Sequence, residues 1–191
     1  ADIIGDLSQA YAFDTVAGMT GLNIDFPSGK LLETKGYYNI GGSGSASYIV
    51  KTTAEASADG DVIDGYGNHA LANGNVAILN ITKNTIVLEQ LGASSTIDNA
   101  DIIEQGASLL KRGWKLTSKC LTPVGRKVVI DLSVAIYIEI DLGTVIPFGS
   151  YDDYLMRIEL PKTNLVRGIG NTLGQVDGVV RMDCLNQSRG L

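Results

Sequence analysis

The stretch "KVVIDLSVAIYIEIDLG", Lys127 to Gly143, places an apolar side chain at every second position: Val128, Ile130, Leu132, Val134, Ile136, Ile138, Ile140 and Leu142. Between them stand Val129, Asp131, Ser133, Ala135, Tyr137, Glu139 and Asp141, most of them polar. A period of two belongs to extended chain with one buried face, because successive strand side chains point to opposite sides. An ordinary strand has about 5–6 residues, so this run is expected to bend at a corner and continue as a second strand. The alternation returns in "YLMRIEL", with Tyr154, Met156, Ile158 and Leu160, and in "VVRMDCL", with Val180, Met182 and Cys184. Ile136, Met156 and Val180 are 20 and 24 residues apart, with no helical pattern between them. Strands recurring at such intervals point to a stacked solenoid, in which each coil covers the inward face of the next. A β-sandwich is the rival arrangement, since it too produces short alternating strands.

Just upstream, "SSTIDNADIIEQGASLLKRG" carries the strongest helical signal of the chain. Ala100, Ile103, Ala107 and Leu110 fall at steps of three and four, which predicts a helix over 97–112 with one apolar stripe. Ser95 or Thr96 would cap it, with Asp98 three places after Ser95 as a capping box. Lys111 and Arg112 suit its C-terminal end, and Gly113 stops it. A helix in this place reads as a lid on the open end of the first coil.

Further upstream the segments "KLLETKGYY", "ASYIVKT", "NVAILNI" and "TIVLEQLGA" read as strands. In the third, Val76, Ile78 and Asn80 alternate with Ala77, Leu79 and Ile81, so both faces are fairly apolar, as in a strand buried on both faces or packed between subunits. Residues 1 to about 30 hold scattered apolar positions, a weak helical turn at Asp6–Gln9 and a Pro27-Ser28-Gly29 turn. The pattern changes after Ile81, giving two domains, 1–82 and 83–191.

The bulk composition limits the function classes. With 191 residues, 23 of them glycine and only 4 proline, the chain suits many short strands joined by tight turns. A net charge of -6 disfavours nucleic acid and anionic membrane as partners. No apolar run approaches bilayer-spanning length, so the expectation is a soluble protein without membrane insertion. The segment "ADIIGDLSQAY" lacks a basic region followed by an apolar block, unlike a secretory signal. Cys120 and Cys184 form neither a disulfide framework nor a metal site, and read as small buried side chains in a reducing compartment. The single histidine, His69, sits among turn formers and is expected to make a polar turn contact. One histidine leaves no basis for zinc, Ser-His-Asp or Cys-His chemistry, and neither metal nor cofactor is expected.

The glycine-rich stretch "GYYNIGGSGSASYIV", Gly36 to Val50, invites a phosphate-loop reading. That reading requires a helix to open directly after the glycines. Ser45 to Val50 instead read as a strand. On the residues alone, Gly41, Gly42 and Gly44 make a hairpin turn with the tyrosines half-buried.

"LLETKGYYNIGGSGSASYIV" followed by "DGYGNHALANGNVAILN" and then "VLEQLGASSTIDNADIIEQGASLL" resembles, in that order, the opening of bacteriophage tailspikes and capsule depolymerases of the pectate-lyase-like type. The resemblance covers roughly residues 30 to 140. In that family a "GA", a polar loop and an amphipathic helix lead into the coils. The loop here, "SSTIDNAD", keeps Asp98 and Asp101 of the commoner acidic pattern, and "LTPVGRKVVI" replaces part of a proline- and tyrosine-bearing element. The resemblance implies a mainly β chain: a small N-terminal β-rich domain, a capping α-helix, and the first coils of a right-handed parallel β-helix. It also implies a homotrimer on the virion tail, assembled in the host cytoplasm, in which the glycine loop turns sharply and Tyr37 and Tyr38 pack at a junction between subunits. Residues 1–82 would attach it to a phage tail or baseplate protein, and residues 83–191 would begin a β-helix that binds and degrades bacterial surface polysaccharide. The second hypothesis is a non-enzymatic carbohydrate-binding or structural adaptor with a β-sandwich fold.

Glycan hydrolysis needs two carboxylates flanking the scissile bond, whereas a lyase needs a base and a charge stabiliser. Glu139, Asp141, Asp152, Asp153 and Glu159 are the candidate acids. "SYDDYL" is the best carbohydrate-binding candidate, since Tyr151 and Tyr154 can stack on sugar rings beside Asp152 and Asp153. Adjacent acids on a strand face opposite ways, so Asp152 and Asp153 make a poor catalytic pair. The chain is therefore expected to be an N-terminal fragment whose catalytic coils lie elsewhere, with no catalytic residue assigned.

Overall fold

A computed structural model describes residues 10–111, 113–119, 122–126, 128–131, 139–142, 145–147, 156–159, 167–168 and 179–182. They divide into two compact units: 1–82 with 90–92, and 83–89 with 93–191.

The first unit contains β1 (Tyr11–Phe13), α1 (Val16–Thr20), β2 (Leu31–Thr34), β3 (Ala46–Lys51), α2 (Thr53–Ala58), β4 (His69–Ala70) and β5 (Val76–Leu79). The five strands form one sheet in the order β1-β2-β3-β5-β4. β1 and β2 are parallel, and the remaining pairs antiparallel. Strand β3 shows why the sheet packs as it does. Ala46, Tyr48 and Val50 are buried, and the intervening residues are not. Tyr48 pairs with Leu32 on one side and Leu79 on the other, so three buried side chains line up across the sheet. Burial in β5 extends to Val76 and Ala77, as expected for a strand covered on both faces. Phe26 completes the core edge-on to Tyr11 and Phe13, at 5.3 and 6.0 Å.

Two elements of this unit escape the alternation pattern. α1 is capped by Thr15, whose hydroxyl accepts from the Gly18 amide. α2 opens with a full capping box: Thr52 accepts from the Glu55 amide, and the Glu55 carboxylate accepts from the Thr52 amide.

The second unit contains β6 (Thr85–Val87), α3 (Ala100–Ser108), β7 (Lys115–Thr117), β8 (Thr122–Val124), β9 (Val128–Asp131), β10 (Glu139–Asp141), β11 (Val145–Pro147), β12 (Met156–Glu159), β13 (Arg167–Gly168) and β14 (Val179–Met182). After β6 a 3-10 turn, Leu88–Leu91, replaces the rest of the expected strand. The strands β7, β8 and β9 lie in three different sheets, and β10, β11 and β12 revisit those sheets in the same order. Each return is parallel: Lys115 pairs with Glu139, Thr122 with Val145 and Val128 with Met156, at spacings of 24, 23 and 28 residues. These pairings are not the antiparallel hairpins of a sandwich. Ile86, Leu116 and Ile140 stand in register and are all buried, forming an apolar ladder across three strands.

The long alternating run holds two strands in different sheets, β9 and β10. Val128, Ile130, Ile140 and Leu142 are buried, as the period of two requires. Residues 132–138 lie outside the described residues. The regular spacing from Ile136 through Met156 to Val180 does not hold as three stacked coils. Met156 pairs in parallel with Val128, whereas β14 joins β12 antiparallel, with Val180 opposite Ile158. Alternation reports which face is buried and carries no information on strand direction.

The helix is shorter than 97–112. It spans Ala100–Ser108, with Asn99 at the N-cap and no side-chain cap bond. Ser95 is exposed, and Asp98 accepts from the Ala100 and Gly125 amides at 3.0 and 2.8 Å. The stripe holds for Ala100, Ile103 and Ala107, which are buried, whereas Leu110 falls beyond the helix and is half-buried; α3 packs against β9. Gly113, at φ +76°, ends the turn that follows. No described helix is long and apolar enough to cross a membrane.

Candidate functional site

Tyr151, Asp152, Asp153 and Tyr154 lie outside the described residues, as do Asp6–Gln9, Cys120 and Cys184. Of the remaining candidate acids, Glu139 and Asp141 stand on β10, in register with Lys115 and Thr117. Glu159 stands on β12, in register with Asp131, and so belongs to a different sheet. Among the described residues no group of three His, Cys, Asp or Glu could hold a metal ion.

The described side chains with the most unusual surroundings lie in the first unit, around the glycine-rich loop. That loop connects β2 to β3, whose antiparallel register sets Thr34 opposite Ala46. The glycines therefore serve a hairpin connection. The Tyr37 amide donates to Ser43 O at 3.0 Å and the Gly42 amide to Asn39 O at 3.0 Å, folding the loop back on itself. Gly41 and Gly44 take φ of +70° and +84°, and a side chain at Gly36 would meet Asn39 O.

The loop presents two tyrosines differently. Tyr37 is half-buried, its ring edge-on to Tyr38 at 4.7 Å and to His69 at 5.8 Å. Tyr38 is 53% exposed, yet its hydroxyl is anchored, donating to Gly92 O at 2.8 Å. Tyr37 also lies over Gly92, where a Cβ would stand 2.9 Å from Tyr37 Cζ. Next to Tyr38, Ile40 is 61% exposed. The result is a rigid aromatic pair at the base of an open loop.

Behind that pair, His69 also faces Tyr48, with ring centroids 5.7 Å apart. Its Nε2 is buried and has no hydrogen-bond partner. Burial holds the imidazole below the usual histidine pKa, against a weaker opposing pull from Asp64. Burial likewise raises the phenol pKa of Tyr48, an effect the neighbouring Thr34 hydroxyl only partly offsets. Tyr37 and Tyr38 are raised for the same reason. His69 is therefore an aromatic-cluster residue on a strand, and the expected polar turn contact is replaced by apolar packing. The turn before it runs through left-handed backbone at Gly65, Tyr66 and Gly67, with φ of 119°, 54° and 82°; the glycines adopt this freely, and Tyr66 is the unusual residue.

The second unit holds two polar centres that the sequence did not announce. Glu89, 1% exposed, accepts from Ser118 Oγ at 2.9 Å and the Lys119 amide at 2.5 Å. Asn99, fully buried, accepts from the Ser94 amide and donates to the carbonyls of Ser94, Ile97 and Pro123. Both tie turns to strands rather than facing an open surface. Glu89 is signalled in the sequence only as an acid in the apolar stretch "TIVLEQLGA", and Asn99 is hidden among the polar residues of "SSTIDNAD".

No protein-family model matches the chain, and no curated protein matches its sequence. Solved structures do match. The enzymatically active domain of tailspike protein 4 of bacteriophage CBA120 aligns over 80% of this chain, with a TM-score of 0.56 and 16% identity. The tailspike protein of Acinetobacter phage vB_ApiP_P1 aligns over 80% with a TM-score of 0.54, also at 16% identity. The tailspike gp49 of Acinetobacter baumannii bacteriophage Fri1, a capsular polysaccharide depolymerase, aligns over 68% at 16% identity and a TM-score of 0.49. This chain shares a tailspike fold over most of its length. It spans only 20% of the first of these proteins and 26% of the second.

Proposed function

We propose that this chain is part of a bacteriophage tailspike, and that its parent recognises and degrades a bacterial surface polysaccharide. The observation that carries the reading is the fold likeness across 80% of the chain to two tailspikes, one of them an enzymatically active domain. The strand order of the second unit supports it: three sheets, visited in turn and revisited in parallel behind α3. On this reading residues 83–191 are the capping helix and first coils of a right-handed β-helix. Residues 1–82 are the neck, which attaches to a phage tail or baseplate protein. The assembly is a homotrimer on the virion tail, formed in the host cytoplasm, and needs no cofactor. Tyr151, Asp152, Asp153 and Tyr154 are the saccharide-contacting residues, with the tyrosine rings stacking on the sugar. The catalytic carboxylates belong to other coils, so this chain alone is inactive.

Three measurements test the proposal. Sedimentation equilibrium is expected to give three copies per particle, and a stable monomer would overturn the trimer. Incubation with capsule or O-antigen from candidate hosts is expected to release neither reducing ends nor unsaturated uronate. Saccharide titration is expected to perturb the chain and to weaken in Tyr151→Ala, which removes a ring that would stack on the sugar. Rapid turnover by this chain would place the active site within it.

A further inference from the structure

We propose that His69 is an acid-sensitive latch on the 36–45 loop: the neutral imidazole is the wedge that seats Tyr37, and protonation of the ring releases the loop. The inference concerns the first unit alone and does not depend on the tailspike reading.

The geometry has three parts. His69 lies on the two-residue edge strand β4, opposite Ala77, with its ring between those of Tyr37 and Tyr48. Its Nε2 is already dehydrated and has no partner, so a proton added there would find no acceptor among the described residues. A buried cation without a hydrogen bond is costly. The groups around it offer little compensation. Tyr37 from the loop and Tyr48 from β3 are neutral phenols. Asp64, from the turn before β4, is exposed and makes no hydrogen bond to the ring, so its attraction is screened by solvent. β5 brings only Ala77 opposite.

The second part is the loop itself. Tyr37 is its inward anchor, while residues 38–43 are all exposed. Beyond that anchor it is held by the Tyr38 hydroxyl on Gly92 O, by the Gln90 side-chain amide on Ser45 O at 2.8 Å, and by backbone bonds, among them the Val16 amide to Tyr37 O. The glycines at 36, 41, 42 and 44 make detachment local, because few other contacts must break with it. The third part is the sign of the linkage. The folded ring binds a proton less readily than the ordinary imidazole, because burial disfavours the charged form. Closure is therefore fully supported above the ordinary value of about 6.5 and loses support as pH falls below it.

The test is amide hydrogen exchange in the full chain at about pH 7.5 and about pH 5, either side of the ordinary imidazole value and corrected for intrinsic exchange. Amides of 36–45 are expected to lose up to about tenfold in protection for each unit by which the ring is depressed. Amides of 46–51 should keep theirs. His69→Phe should abolish the difference; if that variant does not fold, His69→Gln is the substitute. The imidazole's own titration by NMR is read in the unsubstituted chain. Unchanged 36–45 protection, parallel loss in 46–51, or a His69 midpoint at or above about 6.5 would each overturn the latch.

Discussion

The two units bury one face of short strands by opposite means. In the first, two of the four pairings are antiparallel hairpins with short connections, β2–β3 through residues 35–45 and β4–β5 through residues 71–75, while β1–β2 and β3–β5 are closed by longer stretches. In the second, a strand of three or four residues finds its parallel partner 23 to 28 positions away, after two other strands have been laid down. A parallel pair cannot be made by a tight turn, and each long closure costs chain entropy before any contact rewards it. The β2–β3 and β4–β5 hairpins of the first unit can therefore form locally, whereas a strand in the second gains little until its neighbour above or below is present. That is a difference in cooperativity, and it sets where each unit is most fragile.

The largest effect is expected at Leu116, the middle rung of the Ile86–Leu116–Ile140 ladder and fully buried. Leu116→Ala should cost about 2–5 kcal/mol, because the vacated space is lined by strands on both sides. Denaturant titration followed by the lone tryptophan, Trp114 in the second unit, should move to a much lower midpoint. Tyrosine resonances of Tyr37 and Tyr48, in the first unit, should hold theirs. Simultaneous loss of both signals would erase the distinction between stepwise and stacked stability.

Much of this contrast was legible in the residues, and the remainder was not for identifiable reasons. Alternation from Val128 to Leu142 revealed which side chains are buried, because burial depends on the period alone. It could not reveal that β14 runs against β12, since direction leaves no mark on the period. The α3 stripe was readable, but its start was not. Ser95 and Asp98 satisfied a spacing rule, yet Asp98 bonds the Gly125 amide and Asn99 organises the preceding turn through Ser94, Ile97 and Pro123. Gly125 and Pro123 are 27 and 24 residues away, beyond the reach of a local spacing rule. α2 is the reverse case: Thr52 and Glu55 announce a capping box, and only the brevity of the helix conceals it. His69 was misread because turn formers flank it, while the rings that surround it come from residues 37 and 48. The saccharide candidates at 151–154 lie outside the described residues.

Two glycines of the first unit sharpen the comparison at the next level. Gly67 has φ +82°, and a Cβ there would stand 2.7 Å from both Leu79 Cδ2 and Leu91 Cδ2. Gly74 has a similar φ of +88° and open space around it. Gly74→Ala should therefore cost about 1–2 kcal/mol for backbone strain alone. Gly67→Ala should add an overpacking penalty of about 1–3 kcal/mol. Thermal unfolding of the two variants isolates the packing part, and equal shifts would mean that the core around Leu79 yields freely. A smaller effect is expected at Thr52→Ala, about 1 kcal/mol from loss of the α2 cap. Thr52→Ser should retain it.

The smallest effect is expected in the second unit, and it limits how far electrostatics can substitute for stacking there. Arg126 reaches the Glu104 carboxylate through both terminal nitrogens, at 2.9 and 2.7 Å, and also pairs with Asp101. The bonds to Glu104 and then Asp101 hold its guanidinium pKa well above the usual value, so it stays charged at every accessible pH. The geometry is bidentate, but Arg126 is 44% exposed and Asp101 is 78% exposed, so solvent screens the attraction. Arg126→Gln should cost about 0–1 kcal/mol, the range of exposed ion pairs. The difference between the two proteins should shrink further at about 1 M salt, where the Debye length is about 3 Å. A loss approaching that of Leu116→Ala would mean that α3 is held in place by charge, and that the apolar ladder is secondary in building the second unit.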